Sequence, residues 1–167
     1  MAKKIAYLGI LSGLAIIIAY IERLFPLPMP LPGIKLGLAN AIVIITLYTM
    51  GARAALGISA LRILVVGLLF GSVFGIAYGF AGGILSFAAM AAAKRSDKFG
   101  IVGISVFGGV FHNLGQIVIA ATIVQTAGLF YYVPALIIAG VITGIAVGYA
   151  AGLILSHVQE VIHRHFG

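Results

Sequence analysis

The sequence predicts an all-α integral membrane protein: six transmembrane helices with both termini on the inner side. Three observations predict it. Of 167 residues, 63% are hydrophobic and 8% are charged, whereas soluble domains carry about 25% charged residues. The apolar residues fall into six runs, separated by segments of proline, glycine and basic side chains. The basic residues are unequally shared between alternate segments, as the positive-inside rule requires.

The first run, about 5–24, follows Lys3 and Lys4 and closes on Glu22-Arg23. No small-x-small cleavage site stands out after it, so a retained helix is expected. Phe25 to Gly33 then places four prolines, Pro26, Pro28, Pro30 and Pro32, within seven residues. Proline removes a backbone donor and clashes with the preceding helical turn, so this stretch is an extended loop. The second run, about 36–50, is short against the about 20 residues that cross a bilayer. It is therefore tilted, partly re-entrant or extended by loop residues. A tight turn at Gly51-Ala52-Arg53 leads to the third run, about 54–69. The fourth, about 73–93, is followed by Lys94-Arg95-Ser96-Asp97-Lys98. The fifth covers about 100–125. The sixth covers about 132–158 and passes into a polar tail with histidines and Arg164. The expectation is one polytopic domain over 1–167, in the plasma membrane of a prokaryotic cell.

With the N-terminus inside, the inner segments hold Lys3, Lys4, Arg53, Lys94, Arg95, Lys98 and Arg164, and the outer ones only Arg23 and Lys35. The net charge of +7 thus reads as membrane topology and not as a nucleic-acid surface. The proline-rich loop and the segment Thr126 to Pro134 fall outside. Tyr131 and Tyr132 there suit an interfacial aromatic belt, or a lid over an outward-facing pocket.

Five polar side chains lie within the apolar runs. Val110-Phe111-His112-Asn113-Leu114-Gly115-Gln116 puts three hydrogen-bonding groups in mid-span, and hydrocarbon offers them no partner. Residues three and four apart share a helix face, so His112, Asn113 and Gln116 look into a bundle or cavity. Arg62 sits about nine residues, roughly 14 Å, above the turn at Arg53. Asn40 is roughly 15 Å up the second run, and His112 and Asn113 roughly 18 Å up the fifth. Lys35 lies where the outer loop enters the second run. Groups from three helices at one depth are the pattern of a binding pocket. Arg62 and Lys35 face only Glu22, so such a pocket prefers an anionic or acceptor-rich small molecule. Two readings of Arg62 fit equally: a ligand contact, or a structural arginine paired with Glu22. His112 serves as a structural or ligand-contacting histidine, or as a proton relay that lacks a nearby carboxylate.

Small residues recur every four positions at Gly140, Gly144, Gly148 and Gly152, at Gly71, Gly75 and Gly79, and at Ala15 and Ala19. Such ridges let helices approach closely. The two glycine ridges suit packing within the chain, whereas the alanine pair is free to meet another protein.

Some chemistry is excluded. No phosphate-binding Gly-x-x-x-x-Gly-Lys-Ser/Thr loop is present, so the chain does not hydrolyse ATP. The acids are Glu22, Asp97 and Glu160, far apart, where Mg²⁺-diphosphate chemistry needs converging carboxylates. There are no cysteines, and no metal site, cofactor site or nucleophilic triad is recognisable. The chain is not expected to be an enzyme.

Leu31-Pro32-Gly33-Ile34-Lys35-Leu36-Gly37-Leu38-Ala39-Asn40, Ala60-Leu61-Arg62 and Gly109-Val110-Phe111-His112-Asn113-Leu114-Gly115-Gln116 together resemble the heptaprenyl diphosphate synthase component I family, also called the Gx transporter family. The resemblance covers nearly the whole chain. That family is similar in turn to the substrate-binding S components of energy-coupling-factor (ECF) importers of vitamins. The likeness implies an S-component-like six-helix bundle and an outward pocket capped by the loop after helix one. It implies as partners a transmembrane T subunit and two ABC ATPases. Many S components dock through Ala-x-x-x-Ala on helix one, and Ala15 and Ala19 match that pattern. Uptake of a small vitamin or cofactor precursor is then the expected role. The family name points to the alternative, a non-catalytic membrane component of heptaprenyl diphosphate or menaquinone side-chain synthesis. A third reading is a scaffold subunit whose polar residues lock helix packing.

Overall fold

The computed structural model describes residues 2–24 and 37–166, with side chains through position 157. Helix α1 runs Ala2–Leu24, α2 Leu38–Thr49, α3 Ala52–Phe70, α4 Val73–Arg95, α5 Ile101–Val124 and α6 Val133–Phe166. A 3₁₀ turn, Ala127–Tyr132, leads into α6. The described residues contain no strand. Five of the helices are long and apolar enough to cross a membrane; α2 is the shorter apolar sixth. The protein is a multi-pass membrane protein. Helix α6 continues past the expected end near 158, through Phe166.

Helix α2 explains the arrangement. It is buried on nearly every side, from Ala39 through Leu47 apart from Asn40. Val43, Ile44, Ile45 and Leu47 are almost fully buried. They form the core with Leu11 and Ala15 of α1, Ile58 of α3, Met90 of α4, Ile104 of α5 and Val147 of α6. Around it, α1 packs on α3, α3 on α4, α4 on α5 and α5 on α6, while α2 meets α1, α3, α5 and α6. The outer surface is apolar instead: Ile10, Ile17 and Ile21 of α1, Leu68 of α3 and Ile138 and Ile142 of α6 are exposed. Such a surface suits hydrocarbon, against which only helices with internally satisfied backbones are stable.

At 12 residues, α2 is about 18 Å long, shorter than its neighbours, and the backbone groups at its ends need partners. Side chains of neighbouring helices supply them. At the N-terminus, the Glu22 carboxylate accepts from the Leu38 N–H at 2.8 Å and the Ala39 N–H at 3.4 Å. At the C-terminus, Lys94 Nζ donates to the Leu47 carbonyl at 2.5 Å and lies 4.4 Å from the centre of the Tyr48 ring. An acid at the positive end and a base at the negative end both match the helix dipole. Gly51, at φ 88°, turns the chain into α3 with a backbone that only glycine adopts easily.

Glycine lets α5 and α6 touch. A Cβ at Gly144 would sit 2.6 Å from Val106 Cα, one at Gly148 2.7 Å from Val102 Cα, and one at Gly140 2.8 Å from Val110 Cα. The fourth glycine of that expected ridge, Gly152, has open space around it. The expected ridge on α4 is corrected more strongly. Of its members only Gly79 meets another helix, at Ile63, while Gly71 and Gly75 face their own turns. The working contact lies further along, where Gly82 and Gly83 receive α5 and α3.

The expected docking face on α1 is also corrected. Ala15 is 0% exposed and belongs to the core with α2, while Ala19 lines an internal cavity. The small residues turn inward because the buried helix must approach α1 closely; the outward stripe of α1 is isoleucine and leucine.

The helix contacts make a prediction. Gly144→Ala forces α5 and α6 apart and lowers stability by about 1–3 kcal/mol. Gly152→Ala, in open space, stays within about 0.5 kcal/mol of the parent. Thermal unfolding of both variants in one detergent checks this; equal effects contradict it.

Candidate ligand cavity

A cavity of about 150 Å³ opens among the helices beside the first two turns of α2. Eight of its 24 described wall residues are glycine, so backbone forms about a third of the wall. Gly67 and Gly71 of the α3 end, Gly75 and Gly79 of α4, and Gly108 and Gly109 of α5 all contribute.

Asn40, Arg62, His112, Asn113 and Gln116 all line this one cavity. Lys35, expected at its entrance, lies outside the described residues. Asn40 is in the first turn of α2, directly after the capped N-terminus. Arg62 comes from α3 and is 8% exposed. Its Nη2 donates to Asn40 Oδ1 at 3.2 Å. The direct hydrogen bond of the guanidinium goes to a neutral amide, while Glu22, the expected partner, accepts from the N–H groups of α2 and acts on the Arg62 charge through space. The physical reason is competition for one carboxylate. The start of a helix gathers several orphan donors and a partial positive charge, and α2 places them on Glu22. Glu22 nonetheless lines the same cavity.

The three polar residues of α5 divide their work. Asn113 Nδ2 donates to the Leu136 carbonyl at 2.9 Å, tying α5 to the first turns of α6. His112 and Gln116 lie against α4 at Gly82: a Cβ there would be 2.9 Å from His112 Cε1 and 2.8 Å from Gln116 Cγ. One turn away, a Cβ at Gly115 would meet the Ala81 carbonyl oxygen at 2.5 Å. The Gly82–Gly115 crossing therefore fixes where both side chains stand. Gln116 is 3% exposed, and its carboxamide makes no hydrogen bond among the described residues. This amide is thus an uncommitted donor and acceptor in the wall of the cavity.

Sequence reasoning missed three wall residues. Tyr78 adds the one aromatic ring in the wall of Phe, Tyr or Trp type, and Thr143 adds a hydroxyl that donates back to the Ala139 carbonyl at 2.9 Å. Arg23 stands with Glu22 at the end of α1. Tyr78 was findable, since it sits between Gly75 and Gly79 in a run of small residues. The capping role of Glu22 had no local signal, because its partners are 16 and 17 residues away.

Comparison with protein families matches residues 11–154 to the family described as heptaprenyl diphosphate synthase component I. Comparison with curated proteins and with solved structures finds no match.

The Arg62–Asn40 contact is testable by a double-mutant cycle with Arg62→Met and Asn40→Leu. Coupling of about 1 kcal/mol in unfolding free energy is expected for a membrane-buried hydrogen bond. Strictly additive losses contradict the contact.

Proposed function

This chain belongs to the heptaprenyl diphosphate synthase component I family, and we propose that it acts as a small-molecule-binding membrane subunit resembling the S component of an ECF importer. In this reading it sits in the cell membrane with both termini inside. The cavity then opens toward the exterior, where Lys35 and the proline-rich loop cap it. It takes up a small vitamin or cofactor precursor, and a T subunit with ABC ATPases supplies the energy. The supporting observation is convergence: polar residues of three separate helices line one cavity inside an apolar bundle. Buried polar groups around a cavity between membrane helices mark substrate pathways and binding sites. Docking through Ala15 and Ala19 is dropped from the proposal, since both turn inward.

The family name favours a second reading, a non-catalytic membrane component that assists an enzyme of heptaprenyl diphosphate synthesis. Catalysis by this chain itself has little chemical support. Glu22 and Lys94 cap opposite ends of α2, about 18 Å apart, and Asp97 follows Lys94. Glu22 and Asp97 are therefore not placed to share a Mg²⁺-diphosphate.

Purification from native membranes separates the readings. The first predicts a small molecule released on denaturation, absent from Ala19→Phe, whose ring fills the cavity, and co-purification with an ABC ATPase. The second predicts co-purification with a soluble prenyl synthase subunit, whose elongation of farnesyl diphosphate with isopentenyl diphosphate rises at least tenfold when the membrane subunit is added. Recovery of the synthase and no ATPase overturns the first reading.

A further inference from the structure

Charge, hydrogen bonding and size together define the class of molecule the cavity receives. Arg62 is almost fully buried, and Asn40 is its one hydrogen-bond partner among the described residues. A guanidinium carries five N–H donors, so most of its capacity remains for another acceptor. The Glu22 carboxylate acts on this charge through space but leaves the spare N–H donors without a direct partner. Arg62 thus suits an acidic, acceptor-rich group.

The charge of the wall limits how that group approaches. Among the described wall residues, Arg62 and Arg23 are cationic and Glu22 is acidic. The Glu22 carboxylate repels any anion that reaches it, which leaves Arg62 as the side for an acid group to approach.

Gln116 supplies the second contact. The residue is 97% buried and packs on Gly82, and its carboxamide is unpartnered among the described residues and lines the cavity. It donates through Nε2 to an acid oxygen and accepts through Oε1 from a ligand N–H or O–H. Size then sets the rest. A protein void of about 150 Å³ takes up benzene, so the enclosed part of the ligand is about one six-membered ring. The Tyr78 ring in the wall offers a flat surface to stack on.

We infer that the cavity binds a small organic acid, about one ring in size, through Arg62 and Gln116. This rests on the reading of the cavity as a ligand site and narrows it to a charge type and a size.

The test uses the full chain in lipid nanodiscs and thermal unfolding with named probes: benzoate and 4-hydroxybenzoate, their neutral amides, and isopentenyl diphosphate. The acids are expected to raise the midpoint saturably. The amides bind at least tenfold more weakly, and the diphosphate gives no shift. Gln116→Leu, which keeps the size and loses no internal hydrogen bond, weakens the acids at least tenfold while unfolding at the parent temperature without ligand. Where Arg62→Met fails to fold, Gln116→Leu alone carries the test. Equal binding of acid and amide, tighter binding of the diphosphate, unchanged affinity in Gln116→Leu, or no shift with any probe each overturns the inference. If no acid binds yet the parent still carries a molecule that Ala19→Phe lacks, the acid assignment fails and the ligand cavity stands. If neither is seen, both fail.

Discussion

A helix too short to cross the bilayer is held inside the bundle by charges at both of its ends. Helix α2 spans about 18 Å where the hydrocarbon core is about 30 Å thick. Its terminal N–H and C=O groups need partners, and neighbouring helices supply them. Glu22 of α1 takes the first N–H groups, and Lys94 of α4 takes the Leu47 carbonyl. These contacts fix the height of α2 against α1 and α4. The apolar core, with Ile44 and Leu47 almost fully buried, fixes its lateral position.

The cavity follows from that placement. With α2 pinned at its N-terminus, Asn40 stands in the first turn beside the cap and meets Arg62 of α3. On the far side, glycines bring the helix backbones together: Gly82 and Gly115 where α4 meets α5, Gly79 against Ile63 of α3, and Gly109 against Gly140 of α6. These close approaches fix where the polar groups stand around the void. Asn113 spends its donor on Leu136 and is structural, whereas Gln116 has its amide uncommitted. The same short segment thus contains a helix tie and a candidate ligand contact.

Much of this was legible in the sequence. The six apolar runs, the short second one and the shared depth of Asn40, Arg62, His112, Asn113 and Gln116 follow from helical rise and composition. What escaped was partnership. Glu22 and Arg62 are opposite charges, and pairing them is the natural guess, but no sequence pattern ranks an arginine against the start of a helix 16 residues away. The inward turn of Ala15 and Ala19 was hidden for a related reason. A small-residue pair looks the same whether its neighbour is in the same chain or another, and only the burial of α2 decides. Spacing of four likewise did not separate Gly144, which touches Val106, from Gly152, which touches nothing.

The central claim is that this capped, glycine-walled cavity holds a ligand against Arg62 and Gln116. A density map of the protein purified from its own membrane and placed in a nanodisc tests it most directly. The account predicts compact non-protein density beside α2, in contact with the Arg62 guanidinium and the Gln116 amide, with Glu22 still on the N-terminus of α2. A cavity closed by side chains, with Gln116 bonded to another helix, would contradict it.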